Sequence, residues 1–154
     1  MRVGIIGAGL QARRRAPVLR NFPGMDLVVI SAAHLEQAEK LAGNMQCEAA
    51  VGWETVVQRN DLDAVIVCTP PDLHAEISIA AMESGKHVLC EKPLTRTIEE
   101  AQKMVDVSRQ SDRVLKCGFN HRHHPAFLQM HAWFLEGRIG DPLFIRCVYG
   151  IGGR

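Results

Sequence analysis

The chain has 154 residues, of which 47% are hydrophobic and 23% are charged, and its formal net charge is +1. This length suits one domain and leaves little for a second, and the composition is that of an ordinary globular protein. A charge so close to zero gives no reason to expect nucleic acid or an anionic membrane surface as a partner. No apolar run is long enough to cross a bilayer.

The cysteines indicate a reducing compartment. There are five of them, an odd number, most lie within or at the ends of apolar runs, and none forms a C-x-x-C pair. Met1 leads directly into an apolar segment, without the charged region, apolar core and cleavage site of a secretory signal. We therefore expect a cytoplasmic protein with reduced thiols.

Short apolar segments rich in β-branched residues alternate with longer segments of helical period. The predicted strands cover residues 2–6, 26–31, 48–50, 63–68, 87–90 and 114–117. The predicted helices cover residues 10–21, 35–43, 53–59, 72–84 and 98–111, and Gly24, Gly43 and Gly85 fit C-terminal caps. Continuously apolar strands are typical of a parallel sheet covered by helices on both faces. The pattern predicts an α/β fold with a doubly wound parallel sheet, the Rossmann fold.

The pattern changes after Cys117. A helix is predicted over residues 125–136 and one further strand over 143–149, and no later segment could pair with that strand. Because an unpaired strand edge is a liability, the strand is expected to join an existing sheet edge or another copy of the chain, which favours a homo-oligomer. We interpret residues 1–120 as the Rossmann domain, and residues 121–154 as a linker helix and the first strand of a second α/β domain that is otherwise missing.

The stretch VGIIGAGLQA matches the turn that binds a dinucleotide, with Gly7, Gly9 and Ala12 at its three small positions. Gly7 permits the tight turn, Gly9 lets the backbone approach a pyrophosphate, and Ala12 lets the helix pack closely on the sheet. The N-terminus of that helix would offer free N–H groups to the phosphates. Glycines at such a turn can be purely conformational, but their place between the first strand and a helix favours cofactor binding.

Three arginines, Arg13–Arg15, lie in the first turns of this helix, where the macrodipole disfavours cations. A bound anion would offset that effect, although a solvated basic face is the better interpretation for at least two of the three.

The end of the second strand bears on the choice between NAD and NADP. A dinucleotide fold usually places an acidic residue there to hold the ribose 2′-hydroxyl, but Ala32 and Ala33 occupy that place. Ser31, His34 and Arg13 could contact a 2′-phosphate, which favours NADP weakly. NAD stays open as the alternative.

Two further strands are expected to end at the same edge of the sheet. Thr69 and Pro70 follow the strand at 63–68, and Asp72 is the expected N-cap of the next helix. His74 lies in the first turn of that helix, facing either the crevice or water, and by itself is better interpreted as an exposed residue. The carboxyl ends of parallel strands form the ligand crevice of such folds.

The strand at 87–90 ends in the sequence EKP. At the crevice, Glu91 could accept hydrogen bonds from ribose hydroxyls, and Lys92 could donate to a substrate oxygen and stabilise the charge that develops on it during hydride transfer. Pro93 cannot donate to a strand ladder, so it ends the strand. The alternative is a surface ion pair, which would stabilise little.

The histidines His121, His123, His124 and His131 suggest a metal site, but they lack the spacing and the paired cysteines of a zinc motif. We predict no metal.

The segments GIIGAGLQA, TPPDLHAE, GKHVLCEKPLT and GFNHRHHPAF together resemble the Gfo/Idh/MocA family of oxidoreductases, and the resemblance runs the whole length of the chain. It implies NAD or NADP as cofactor, a sugar, cyclitol or related polyol as substrate, and Lys92 as the active-site lysine. The resemblance implies these cofactor contacts: Gly7, Gly9, Leu10, Gln11, Ala12, Thr69, Pro70, Leu73, His74, Glu91, Lys92 and Asn120.

Two departures from the family pattern affect these implications. Ala32 replaces a common acidic residue, which leaves the choice between NAD and NADP open. Family members are also longer, with a second domain that supplies substrate contacts and an acid–base histidine, so we expect this chain alone to bind cofactor with little or no catalysis.

A dinucleotide-binding sensor or regulator without turnover is the alternative function, and a methyltransferase with a similar glycine turn is disfavoured by EKP and TPPDLH.

Overall fold

Within residues 1–148 and 150, which the computed structural model describes, six parallel strands form one sheet. The strands are β1 (Arg2–Ile6), β2 (Asp26–Ala32), β3 (Glu48–Val51), β4 (Ala64–Val67), β5 (His87–Cys90) and β6 (Leu115–Cys117). Their spatial order is β3-β2-β1-β4-β5-β6. The order reverses between β1 and β4, which is where doubly wound sheets bind ligands.

The connections between these strands are helical. The helices are α1 (Leu10–Asn21), α2 (Leu35–Met45), α3 (Glu54–Val57), α4 (His74–Glu83) and α5 (Ile98–Ser111), and a 3-10 turn (Pro71–Leu73) precedes α4. The doubly wound α/β fold predicted from the sequence is confirmed.

Each face of the sheet packs against its own hydrophobic core. Adjacent strand residues point to opposite faces, so they enter different cores. Ile5 packs in one core with Ala12 and Ala16 of α1. Its neighbour Ile6 packs in the other core with Ile77 of α4 and Met104 of α5. This explains why the strands are continuously apolar rather than alternating.

The second compact unit begins at Phe119, whereas the first covers Met1–Gly118. It contains a 3-10 turn (Asn120–His123) and α6 (Pro125–Leu135). His124 caps α6, since its Nδ1 accepts a hydrogen bond of 3.3 Å from the N–H of Ala126. Pro125 at the first helical position has no N–H to satisfy.

Residues 143–148 are not paired into a strand within the described residues and residue 149 lies outside them, so the strand at 143–149 stays a prediction. Two local predictions were wrong. Gly43 does not end α2, which continues to Met45 and is closed by Gln46 with a φ of 52°. Asp72 does not cap α4, because it lies inside the 3-10 turn that Pro71 begins.

Candidate functional site

A cleft of about 610 Å³ opens at the carboxyl ends of β1, β2 and β4. It lies where the strand order reverses, so it is bounded by the loops that leave β1 and β4 in opposite directions. The cleft is lined by Ile6, Gly7, Ala8, Gly9, Ser31, Ala32, Ala33, His34, Gln37, Gly52, Trp53, Cys68, Thr69, Pro70 and Leu73. Five of the predicted cofactor contacts are among these residues: Gly7, Gly9, Thr69, Pro70 and Leu73.

Gly7 closes the turn between β1 and α1. Its φ is 102°, and a Cβ there would lie 2.7 Å from the carbonyl oxygen of Cys68. Its N–H donates a 2.8 Å hydrogen bond to the carbonyl of Ser31. The turn is therefore fixed against both neighbouring strands, and only glycine fits both its conformation and its space.

Gly9 is different, because the protein itself does not require a glycine there. Its φ is −78°, and an added Cβ would meet no atom within 4 Å. Gly9 is the N-cap of α1, the helix has no side-chain cap, and no acidic residue lies in its first turn. The first N–H groups of α1 are thus left for an anion, beside open space on the cleft wall.

Ala12, Leu10 and Gln11 occupy the first turns of α1. Ala12 is fully buried in the core beneath the helix, as its packing role predicts. Leu10 is 53% exposed and Gln11 is half-buried, and neither lines the cleft. Their predicted contacts with a pyrophosphate stay predictions.

Two hydroxyl groups of the cleft lining have no protein partner. The Oγ of Ser31 and the Oγ1 of Thr69 are buried and make no hydrogen bond within the described residues. Buried polar groups in folded proteins nearly always have a hydrogen-bond partner. Two buried hydroxyl groups without one, in the same cleft, therefore fit a site for a polar ligand. A ribose or an adenine offers the partners that these groups lack.

Glu91 pairs with an arginine of α1. Its carboxylate is only 6% exposed and accepts hydrogen bonds from the guanidinium of Arg15, which is 23% exposed. Its Oε2 also accepts from the backbone N–H of Lys92 at 3.3 Å. Gly118 passes so close that a Cβ there would lie 3.0 Å from the Arg15 guanidinium and 3.1 Å from the Glu91 carboxylate.

The sequence did not reveal this pairing. It did indicate that an anion could offset the cations of α1, and Glu91 is that anion for Arg15. Arg13 and Arg14 are exposed, as predicted for at least two of the three arginines. The contact of Glu91 with a dinucleotide stays a prediction, because its carboxylate is already engaged by Arg15 and Lys92.

Lys92 follows β5 and is exposed. Its side chain makes no hydrogen bond or ion pair within residues 1–148 and 150, whereas the neighbouring Glu91 is paired. The surface ion pair that was the alternative interpretation of EKP therefore does not form, and the ammonium is left available to a ligand.

His74 is almost completely buried, at 1% exposure, rather than exposed. Its Nδ1 lies 2.8 Å from the carbonyl oxygen of Pro93, and its Nε2 lies 2.8 Å from that of Thr69. The ring thus connects the loop after β4 with the loop after β5. Contact of this ring with the dinucleotide stays a prediction, and the geometry shows how His74 positions Thr69 and the EKP segment.

Other lining residues were missed by the sequence analysis, namely Trp53, Gly52 and Gln37. Gly52 and Trp53 directly follow β3, so the rule that strands end at the crevice could have found them. Asn120 lies in the second unit, in the 3-10 turn, and is exposed. Its predicted place near the nicotinamide stays a prediction.

The strand order, the glycine turn and the cleft together define a dinucleotide-binding Rossmann domain. A family model described as an oxidoreductase family with an NAD-binding Rossmann fold matches residues 1–119. The chain belongs to the Gfo/Idh/MocA family of oxidoreductases.

Curated relatives are similar over nearly all of this chain. A dTDP-3,4-didehydro-2,6-dideoxy-alpha-D-glucose 3-reductase from Saccharopolyspora spinosa is 32% identical over 98% of this chain and 46% of its own length. Inositol 2-dehydrogenase 4 from Saccharopolyspora erythraea is 32% identical over 97% of this chain and 45% of its own length. The chain therefore spans about half the length of these relatives.

A solved structure agrees with this fold. KijD10, a 3-ketoreductase from Actinomadura kijaniata in complex with NADP and TDP-benzene, superposes with a TM-score of 0.83. It is 34% identical, and the match covers 89% of this chain and 42% of that one.

Two further findings concern membranes and metals. None of the helices in the described part of the chain combines the length and the apolar character that a bilayer crossing requires. Within residues 1–148 and 150, no three His, Cys, Asp or Glu side chains are grouped so that they could ligate a metal ion.

Proposed function

We propose that this chain is the nucleotide-binding part of an NAD(P)-dependent oxidoreductase that transfers a hydride between a nicotinamide cofactor and a sugar, cyclitol or similar polyol. The observation that carries the proposal is the open space at Gly9, beside the uncapped N-terminus of α1 and within the cleft where the strand order reverses. A glycine that the protein does not need for its own packing is explained by a ligand that approaches the backbone.

The residues of the cleft fit a dinucleotide. The pyrophosphate would lie over Gly7 and Gly9, where the N–H groups of α1 and its dipole favour an anion. Ser31 and Thr69 would supply hydroxyl partners for the sugar and base portions. The nicotinamide, when bound, supplies the hydride chemistry, and the protein orients it.

Lys92 is the residue proposed to act on the substrate. Its ammonium would donate a hydrogen bond to the oxygen of the reacting carbon and stabilise negative charge there as the C–H hydride leaves an alcohol or adds to a ketone. Glu91 fixes the backbone at this point, since it accepts from the N–H of Lys92 and is itself held by Arg15. The lysine is therefore presented from a rigid strand end.

The proposed substrate class, sugars and cyclitols, is inferred from the names of the relatives. Their names describe a reductase of a dTDP-linked deoxyglucose, an inositol dehydrogenase and a levoglucosan dehydrogenase. We extend that substrate class to this chain as a proposal. The acid–base residue is proposed to come from a second domain, which residues 121–154 begin.

The proposal also covers the cellular compartment and the oligomeric state. The free cysteines of the described residues fit a reducing cytoplasm. Phe127, Leu128 and Trp133 of α6 are exposed, and such an apolar surface fits self-association.

The first test is titration of this chain with NADH and NADPH, followed by the fluorescence of Trp53, which lines the cleft. Binding of at least one is expected, with quenching that saturates. A chain that folds but binds neither would contradict the proposed function.

The second test separates an oxidoreductase from a sensor. In a longer form that turns over a polyol, Lys92→Ala should abolish turnover and leave cofactor affinity within about twofold, because the ammonium acts on the substrate oxygen. Arg96→Ala, an exposed cation further along the same loop, is the control. Unchanged turnover in Lys92→Ala would remove this lysine from the mechanism.

A further inference from the structure

One buried ring joins the two loops that carry the proposed site. His74, the first residue of α4, is 1% exposed, and its two ring nitrogens make different contacts. Nε2 lies 2.8 Å from the carbonyl oxygen of Thr69, after β4, and Nδ1 lies 2.8 Å from that of Pro93, after β5. An imidazole can donate through either nitrogen, and an imidazolium through both at once. The ring therefore sets the spacing between the two loops.

The Nε2 side of the ring holds one wall of the cleft. Thr69 lines the cleft, and its Oγ1 is buried without a hydrogen-bond partner within the described residues. Because His74 engages the carbonyl oxygen of Thr69, the backbone that carries this hydroxyl is fixed before any ligand arrives. A preorganised wall binds more tightly than one that must be ordered on binding. Loss of this contact should therefore weaken the binding of a dinucleotide.

The Nδ1 side of the ring holds the loop of Lys92. Pro93 directly follows that lysine and does not line the cleft. Glu91, on the other side of Lys92, is held by Arg15 of α1. The exposed side chain of Lys92 thus lies between two fixed neighbours, one bound to α1 and the other to α4. Loss of the Pro93 contact should release the lysine and leave the cleft wall in place.

We propose that His74 is a positioning residue with two separable roles: its Nε2 side fixes the cofactor wall at Thr69, and its Nδ1 side fixes the direction of Lys92. The inference rests on the proposed function, because it needs a dinucleotide in the cleft and a lysine that acts beside it. His74 acts through these two neighbours, since its ring is almost completely buried. Small displacements of a reacting group cost rate steeply, so such a residue matters without touching the substrate.

Two conservative variants separate the two roles. The amide nitrogen of asparagine occupies the place of Nδ1 in histidine, and that of glutamine occupies the place of Nε2; both are donors. His74→Asn should therefore keep the contact with Pro93 and lose that with Thr69, whereas His74→Gln should do the opposite. Each variant loses one contact of 2.8 Å, so the two should be destabilised to a similar extent.

The first readout is nucleotide affinity. In a Trp133→Phe background, where Trp53 alone reports, the chain is titrated with whichever of NADH and NADPH binds the parent more tightly. His74→Asn should weaken binding about tenfold, the effect of about one hydrogen bond, and His74→Gln should stay within about twofold.

The second readout is the position of Lys92. After reductive ¹³C-methylation of the lysines, the ¹³C NMR signal of Lys92 is assigned by its loss in Lys92→Arg. Saturation with the nucleotide should shift this signal in the parent chain and in His74→Asn, but not in His74→Gln. His87→Gln is the control and should change neither readout, because this half-buried histidine lies at the opposite end of β5, where its Nδ1 accepts from the N–H of Val114 at 3.1 Å.

Equal effects of the two His74 variants on affinity and on the Lys92 signal would mean that the ring serves only packing, which would overturn the inference and leave the proposed function standing. Should neither variant fold, the parent chain gives a further measurement: the ring ¹⁵N signals of His74 should shift when the nucleotide saturates the cleft, and unchanged signals would overturn the inference. Binding of neither nucleotide by the parent chain would instead overturn the proposed function and this inference with it.

Discussion

Gly7 and Gly9 belong to the same turn, but their surroundings differ. Gly7 has a φ of 102° and stands against the backbone of Cys68, whereas Gly9 has an ordinary φ and faces open space. A methyl group at Gly7 would strain the protein itself. A methyl group at Gly9 would obstruct only a ligand that lies close to the backbone.

Gly7→Ala is expected to lower the free energy of unfolding by on the order of 2 kcal/mol or more, because it combines a disfavoured φ with a contact of 2.7 Å. Gly9→Ala should lower the free energy of unfolding by only about 1 kcal/mol or less, the cost of alanine at an N-cap, but weaken dinucleotide binding severely. Urea unfolding and NADPH titration of both variants measure the two effects. Similar destabilisation by both substitutions would mean that Gly9 serves the fold rather than a ligand.

Burial keeps two thiols beside the site, those of Cys68 and Cys90, from ionising. Burial, with a smaller effect from the Glu91 carboxylate, raises the pKa of Cys68 from 9.0 to about 12. Burial likewise raises the pKa of Cys90 to about 12. Because only the thiolate is nucleophilic, both should resist alkylation while the chain is folded.

At pH 8.5, iodoacetamide should label the exposed Cys147 and spare Cys68 and Cys90, as measured by mass spectrometry. A thiol that stays neutral when folded but ionises when unfolded stabilises the fold below pH 9 and loses this effect as the pH rises towards 12. The free energy of unfolding should therefore decrease from pH 9 upwards. Labelling of all three cysteines at equal rates would show that the strand ends open readily.

At the scale of elements, the Arg15–Glu91 ion pair joins α1 to the end of β5. Glu91 is nearly buried, so loss of its partner would leave a carboxylate without compensation. Arg15→Ala should lower the free energy of unfolding by on the order of 3 kcal/mol, and Arg14→Ala, an exposed neighbour, should change it little.

The double variant Arg15→Met with Glu91→Leu should recover much of that loss, because two apolar side chains replace a desolvated pair. Chemical denaturation of the single and double variants measures the coupling. Additive losses would mean that the two residues act independently.

Most elements could be predicted from the sequence because their signals are local. The bounds of β1, β5, α1 and α5 match the predicted ranges, since apolar period and flanking polar residues act over a few positions. The end of α2 could not be predicted in this way, because Gln46 adopts a left-handed conformation where a glycine was expected. The start of α4 was missed because a tight 3-10 turn, which Pro71 begins, precedes that helix.

The site was only partly predictable. Gly7 and Gly9 have a fixed spacing, and the rule for strand ends identified Thr69 and Pro70. The partners of Glu91 and His74 could not be predicted, because Arg15 is 76 residues from Glu91 and Pro93 is 19 residues from His74. Side-chain pairing over such distances depends on how elements pack, and sequence spacing does not encode it.

At the scale of the whole molecule, the cleft couples ligand binding to the stability of the sheet. Its walls come from the ends of β1, β2 and β4 and from the first turn of α2, so a dinucleotide would contact elements from both halves of the doubly wound sheet. A ligand that binds only the folded chain stabilises it in proportion to RT ln(1 + [L]/Kd).

NADPH at about 100 times its Kd should therefore raise the free energy of unfolding by about 2.7 kcal/mol, which corresponds to a Tm increase on the order of 5–10 °C for a chain of this size. Differential scanning fluorimetry across a nucleotide series measures it. At the same NADPH concentration, Gly9→Ala should show almost no increase, whereas Arg14→Ala should match the parent chain. An increase in Tm that is equal in the parent and in Gly9→Ala would mean that NADPH stabilises the chain from somewhere other than this cleft.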